Sequence, residues 1–176
     1  MKLLSPMLEA SPKSIEVQLT GFEVFMRREK YVLALRCLNA AIALDSSNPR
    51  LHAQIVAFAK VLKSASSLSP KVVQVLQAEF KVLDVAATDL SKYNAEFEAK
   101  HKASIRHILS SVAAQRIIDE NKGTTDEKLI AALSLPSTTF PDAIDVLDVL
   151  KNWSSSVAEV FQKEAHARFP QVTRLA

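Results

Sequence analysis

The sequence predicts an all-α chain of antiparallel helix hairpins, and three observations carry that expectation. Apolar residues recur at spacings of three and four along most of its length, with no convincing run of the alternation a half-buried strand needs. Only two glycines occur, Gly21 and Gly123, fewer than parallel sheets with phosphate-cradling loops usually use, and an aromatic content of 6% is low for a β-sandwich. Asn48-Pro49 and Ser69-Pro70 each set a capping side chain before a proline, which suits the first helical position because no partner for its missing N–H is needed there.

The clearest stretch runs from Glu29 to Leu51. Tyr31, Ala34, Leu35, Leu38, Ala41, Ile42 and Leu44 fall on one helical face. Ala34 and Ala41 are small and seven apart, so a neighbouring helix can approach closely. Asp45-Ser46-Ser47-Asn48-Pro49 then stops one helix and starts another. This is the second half of a tetratricopeptide-like repeat followed by the start of the next. Its partner helix is expected over about Lys13 to Arg28, burying Ile15, Leu19, Phe22, Phe25 and Met26, with Gly21 permitting close packing. Arg27-Arg28-Glu29-Lys30 makes the polar turn between the two. Ser46 stands where the repeat has proline, and Phe22 where a small residue is usual. A degenerate hairpin of this kind fits the end of a helical-repeat superhelix.

Around that pair, residues 1–12 read as an extended arm or a remnant of a preceding repeat, and residues 13–176 as a single all-helical domain. Ser5-Pro6 and Glu9 break the apolar run at the N-terminus, so it does not read as a signal peptide. The helix from Pro49 to about Ser64 carries Leu51, Ile55, Phe58 and Leu62. After the break at Ser66–Pro70, Val72, Val73, Leu76, Phe80 and Leu83 share a face. A looser stretch over 85–89 leads to Leu90–Ala99, with Tyr93 and Phe97 four apart. Ala103–Asp119 carries Ile105, Ile108, Leu109, Val112, Arg116 and Ile117, and Gly123 is expected as its left-handed cap. Thr125-Asp126-Glu127 caps a short helix holding Leu129, Ile130 and Leu133. Ala143–Trp153 is apolar around far more than a third of its circumference, so it is either central or covered by a partner. Asp142, Asp145 and Asp148 form its wet edge. The last helix is expected over Ser154–Arg168, presenting Val157, Val160, Phe161 and Ala165.

Nothing in this pattern supports catalysis, a cofactor or a metal. Cys37 lies on an apolar helix face and has no partner for an internal disulfide, so it reads as a small buried hydrophobe. Gln18-Leu19-Thr20-Gly21-Phe22-Glu23 begins like an acetyl-CoA-binding loop. Glu23 would set an anion where pyrophosphate belongs, and the segment lies inside a helix whose N–H groups are already paired. His101 and His107 are six apart, about 240° around a helix, and should face differently. His52 and His166 are isolated, and surface histidine is the reading for all four. The net charge is +3, made of +5 over residues 1–107 and −2 over the remainder. The densest basic cluster is Lys100-His101-Lys102 with Arg106-His107. Lys100, Lys102 and Arg106 could touch phosphate, or the cluster is only a solvated turn. No stretch reaches the roughly 18 uninterrupted apolar residues of a membrane span, and the chain is expected to be intracellular and soluble.

The run Phe22–Tyr31, then Leu33, Leu35 and Leu38, then Ile42–Pro49 and Leu51-His52, resembles the C-terminal part of the auxiliary subunit of the N-terminal acetyltransferase A (NatA) complex. The tail, Ala158-Glu159-Val160-Phe161 through His166 to Phe169-Pro170, is similar to the end of that family. Ser46 in place of the repeat proline agrees with this family better than with a generic repeat. The resemblance covers about residues 14–170. It implies a non-catalytic, ring-like helical-repeat scaffold that wraps the catalytic acetyltransferase subunit and docks it, in the cytoplasm, at the ribosomal exit tunnel. The complex acetylates the α-amino group of nascent chains after methionine removal. Members are much longer, which makes this chain a C-terminal portion and leaves most of the wrapping to other repeats. It also implies that a small regulator with a ubiquitin-associated-like domain can dock in this region, with Val146, Val149, Leu150 and Trp153 as the candidate contact. The competing readings are a generic tetratricopeptide-like adaptor and a basic helical ribosome- or RNA-binding domain.

Overall fold

The computed structural model describes residues 4–64, 68–84, 88–119 and 125–175, and of residues 4, 5 and 175 the backbone only. Among these the regular structure is helical throughout. The chain divides into two compact units, Met1–Leu90 and Ser91–Ala176. The expected cap at Gly123, the serines 66–67 of the first break and residues 85–87 of the looser stretch lie outside the described residues.

The first unit holds α1 (Leu4–Ala10), α2 (Ile15–Arg27), α3 (Tyr31–Leu44), α4 (Pro49–Lys63) and α5 (Pro70–Glu79). Residues 4–10, within the stretch read as an arm or repeat remnant, are thus helical. Ser14 caps α2 by accepting from the Val17 N–H at 3.5 Å. Leu19, Phe22 and Phe25 of α2 are buried with Ala34, Leu35, Cys37, Leu38 and Ala41 of α3. The stripe expected on α3 runs out early: Tyr31 and Ile42 are half-buried, and Leu44 is exposed at the helix's last position. Gly21 sets the spacing. A Cβ there would meet the Cys37 Sγ at 3.0 Å and a Leu8 methyl at 3.3 Å, so the missing side chain is what lets α1 and α3 close on α2.

Both expected caps are present. Asn48 accepts from the Arg50 N–H at 3.1 Å with Pro49 behind it, and Ser69 accepts from the Val72 N–H at 3.4 Å with Pro70 behind it. The buried face of α4 is wider than its periodicity suggests, because α4 packs on α2, α3 and α5. It takes in His52, Gln54, Val56 and Ala59 as well as Leu51, Ile55, Phe58 and Leu62. Phe58 lies 6.4 Å from Phe22 and 5.1 Å from Phe80 between ring centroids, so an aromatic run ties α2, α4 and the end of α5 together.

The second unit holds α6 (Leu90–Lys100), α7 (Ile105–Ile118), α8 (Glu127–Leu133), α9 (Phe140–Asn152) and α10 (Ala158–Arg168), closed by a 3-10 turn at Thr173–Leu175. Its core joins Ile105 and Val112 of α7, Leu129 and Leu133 of α8, Val146, Leu147 and Leu150 of α9, and Phe161 of α10. The α9 helix is central to this unit, with Ala143, Val146, Leu147 and Leu150 in its core. Asn94 of α6 is buried, its amide donating to the Ser111 carbonyl at 3.1 Å and to Gln115 at 3.0 Å. The Arg168 guanidinium fixes the end of α10 by donating to the Leu135 and Thr138 carbonyls at 2.9 and 3.3 Å.

Among the described residues two non-glycines take left-handed backbone, Glu29 (φ 57°) and Ser154 (φ 52°), and each ends a helix in the same way. The Lys30 N–H reaches the Phe25 carbonyl at 2.9 Å and the Glu29 N–H the Met26 carbonyl at 3.0 Å, the paired closure of a Schellman motif. Ser155 to Leu150 and Ser154 to Lys151 repeat it after α9. This shifts the expected start of the last helix from Ser154 to Ala158. A left-handed L-residue costs about 1–2 kcal/mol, partly offset by the extra chain entropy glycine loses on folding. Glu29→Gly should therefore raise stability by about 0.5–1 kcal/mol in urea unfolding. A loss of stability would show that the Glu29 side chain does more than occupy the turn.

Candidate functional site

The α9 helix was the expected dock, and its four named residues divide. Val146 and Leu150 have no exposure and belong to the core, while Val149 and Trp153 are half-buried. A central helix uses its most apolar positions inside the unit, which leaves Val149 and Trp153 as the reachable pair. Trp153 is itself held in place, with the Arg116 guanidinium over its ring at 4.6 Å from the centroid.

Arg116 reaches inward because of Asp126. That carboxylate is fully buried and accepts from the Arg116 Nη1 at 2.8 and 3.0 Å, and from the Ser155 hydroxyl. Three segments meet there: α7, the turn before α8, and the turn after α9. The sequence placed Arg116 in an apolar stripe but gave no sign of its partner, which lies ten positions further on, beyond the end of α7.

The basic cluster lies at the turn between α6 and α7. Lys100 and Lys102 are exposed. Arg106 is committed to Asp142, with which it forms an ion pair. Asp142 is not on the wet edge of α9. It is buried at the third helical position and closes a capping box, its carboxylate accepting from the Thr139 N–H at 2.9 Å and hydroxyl at 2.7 Å. Burial pushes the Asp142 carboxyl up, but the Thr139 hydrogen bonds and the Arg106 guanidinium outweigh it and hold it below the ordinary carboxylate range. Glu98 behaves alike: burial raises it, and Lys128 and Ser111 more than compensate.

The histidines depart furthest from expectation. His101 and His107 do not share a helix. The α6 helix stops at Lys100, the Ser104 N–H bonds back to the His101 carbonyl at 3.1 Å, and α7 starts afresh at Ile105. The reversal stacks the two imidazoles at 4.4 Å between centroids and 8° between planes. The Phe97 ring lies 4.7 Å from one and 5.9 Å from the other, and the His107 Nδ1 is 2.9 Å from the Ser104 Oγ. His52 is buried rather than on the surface.

The remaining candidates offer no chemistry. Burial pushes the Cys37 thiol up, away from the reactive thiolate. Its sulfur borders a cleft of about 520 Å³ shared with Leu8, Phe25, Leu33, Arg36 and Ala40. Glu23, the anion in the acetyl-CoA-like string, accepts from Arg50 at 2.8 Å and Gln54 at 3.3 Å. Among the described residues no group of three or more His, Cys, Asp or Glu could hold a metal, and no helix is long and apolar enough to cross a membrane.

Comparison with known proteins agrees with the resemblance in the sequence. Residues 1–41 match the family model for "N-terminal acetyltransferase A, auxiliary subunit". The chain is 29% identical to N-alpha-acetyltransferase 16, NatA auxiliary subunit, of Mus musculus, over 97% of its own length and 20% of that protein. It is 30% identical to the Homo sapiens protein of the same name, over 86% and 17%. It is also 30% identical to the N-terminal acetyltransferase A complex auxiliary subunit NAA15 of Arabidopsis thaliana, over 73% and 15%. The chain thus spans a fifth or less of the length of these relatives.

Two stability outcomes follow from the ion pairs. Arg116→Ala strands the buried Asp126 carboxylate and should cost about 3–5 kcal/mol in urea unfolding; a loss under about 1 kcal/mol would mean the carboxylate is held by something else. Asp142 and Glu98 have folded pKa values below their unfolded ones, so they stabilise while ionised. Their contribution is complete above the ordinary carboxylate range near pH 4 and is lost as pH falls through the depressed folded values. Stability measured from about pH 5 to about pH 2 should fall steeply below about pH 4, and less steeply in Asp142→Asn.

Proposed function

We propose that this chain is a non-catalytic scaffold segment of a NatA-type complex, from the C-terminal end of its auxiliary subunit's helical repeat. The observation that carries this reading is the similarity to NatA auxiliary subunits along nearly the whole chain. The α2–α3 hairpin, capped on its far side by Asn48-Pro49, is the structural unit such a repeat is built from. An auxiliary role is non-enzymatic, and the side chains here serve helix ends and helix packing. On this reading the chain acts in the cytoplasm, within a complex that acetylates nascent-chain α-amino groups. Its partners are the catalytic acetyltransferase subunit and a small regulator with a ubiquitin-associated-like domain. The regulator's contact is the exposed side of α9 at Val149 and Trp153. A ribosome contact falls to the phosphate-compatible turn at Lys100 and Lys102.

Calorimetric titration of the chain with the regulator's ubiquitin-associated-like domain, at low and moderate salt, tests the dock. Saturable binding should survive salt and weaken about tenfold or more, which is about 1.4 kcal/mol, in Val149→Asp with Trp153→Ala at unchanged helicity. Val146 and Leu150 are unsuitable targets because charging them would break the core. Absence of binding at high concentration removes the regulator dock. The scaffold reading stands or falls separately, on whether the full auxiliary protein co-purifies less catalytic subunit when this segment is deleted.

A further inference from the structure

We propose that the groove between the start of α9 and the segment after α10 docks a peptide that sets a carboxylate beside an apolar side chain. This site is separate from the Val149 and Trp153 contact and does not depend on the scaffold reading. The groove holds about 650 Å³, and Phe140, Phe169, Pro170 and Val172 give it apolar walls. That size suits a few side chains of a peptide. Phe140 is 51% exposed, although it stands at the start of a helix fixed by the Thr139–Asp142 capping box. The other wall is fixed too. Phe169 and Val172 pack on the core, and the Val172 N–H donates to the Phe169 carbonyl at 3.1 Å. An aromatic ring half out of water on a rigid frame offers apolar surface that a partner can cover at little cost in order.

Arg168 gives the groove its charge. Its Nη2 donates to the Leu135 and Thr138 carbonyls, and its guanidinium lies over the Phe169 ring at 5.2 Å from the centroid. Nε and Nη1 meet no acceptor among the described residues, and no carboxylate among them pairs with this cation. Arg174, the other guanidinium in the lining, is held by Asp148 at 2.6 Å. A ligand carboxylate at Arg168 makes a charge-assisted hydrogen bond beside apolar walls, where it is stronger than in open water. The charges around the groove favour one carboxylate over a polyanion. A strand of phosphates needs several cations in a track, and only Arg168 of the described lining is free of a carboxylate. Exposed acids stand close by: Glu164 one turn before Arg168 on α10, and Asp145 one turn before Asp148 on α9. Lys163 falls on another face of α10, and Arg106 is already matched by Asp142. Gln171 and Thr173 add neutral hydrogen-bonding groups to the lining, which a peptide backbone can meet and a fatty acyl chain cannot.

The test is fluorescence anisotropy of the whole 176-residue chain with a set of short labelled peptides, in which leucine, isoleucine, phenylalanine or tryptophan stands next to aspartate or glutamate. At least one member should bind saturably. Replacing its acid by the matching amide should weaken it about tenfold, the loss of one charge-assisted hydrogen bond, with no change to the protein. Phe140→Ala should weaken it by a similar factor at unchanged helicity, because the ring is exposed. Arg174→Gln should leave it within about twofold, since an exposed ion pair already occupies that guanidinium. Amide chemical-shift changes in the nitrogen-15-labelled chain should centre on Phe140 and residues 168–174. No binding by any member up to about millimolar concentration overturns the site. Shift changes centred elsewhere do the same, and binding indifferent to the amide peptides, or lost in Arg174→Gln, overturns the role of Arg168. Equal binding of a labelled oligouridylate or of laurate at the same amides overturns the assignment to a peptide. Self-association in sedimentation that Phe140→Ala abolishes gives the groove to a second copy of the chain instead.

Discussion

Asp126 has no exposure, and a carboxylate out of water costs several kcal/mol unless it is paired and fully hydrogen-bonded. That requirement organises the second unit. Arg116 must point inward from the apolar side of α7, where its guanidinium then lies over Trp153. Ser155 must present its hydroxyl, which fixes the chain just after α9. The left-handed backbone at Ser154 makes this possible, because the Ser155 N–H turns back to the Leu150 carbonyl as the hydroxyl reaches Asp126. One buried charge thus couples the end of α7, the start of α8 and the end of α9, while Val146, Leu147 and Leu150 fill the space between them.

The first unit solves its packing by removing atoms. Gly21 carries no side chain where Cys37 and Leu8 come within contact distance of its ideal Cβ position. Closing α3 on α2 buries Leu19, Phe22, Leu35 and Leu38, and Phe58 and Phe80 extend the same apolar region through α4 to the end of α5. The polar edge is stitched by Arg50, which bridges Glu16 and Glu23 at 2.7 and 2.8 Å. Those exposed pairs hold register more than they add stability. The buried surface and the glycine do the rest.

Much of this was legible in the sequence because it depends on near neighbours. Helical spacing marked nearly every helix, and Asn48-Pro49 and Ser69-Pro70 marked where two of them start. The interactions that were not legible join residues far apart in the chain, or residues whose helix ends early. Helical angle put His101 and His107 on different faces, and the reversal at Ser104 stacked them. Spacing of three made Asp142 look like part of a wet strip, whereas its place at the start of α9 made it a cap and a partner for Arg106. Ser154 read as a helix start because left-handed backbone at a serine leaves no trace in apolar periodicity. Val146 and Leu150 read as reachable because a broad apolar helix looks the same whether a core or a partner covers it.

These differences bear on how such a chain can serve a larger assembly. Its strongest apolar positions are spent on its own two cores, so the contacts proposed above fall to edges where a side chain is fixed by the core beneath it. Trp153 is such an edge, pinned by Arg116 and through it by Asp126. The α6–α7 turn is another: its two imidazoles stack on one another and lie tilted against Phe97, and its backbone is tied by the Ser137 hydroxyl donating to the Ala103 carbonyl at 2.6 Å. A group already immobilised loses little conformational entropy when a partner arrives. A scaffold that must hold other proteins in a set geometry gains more from a few preorganised contacts of this kind than from a large adaptable surface, and both of these edges are held by the packing that folds the second unit.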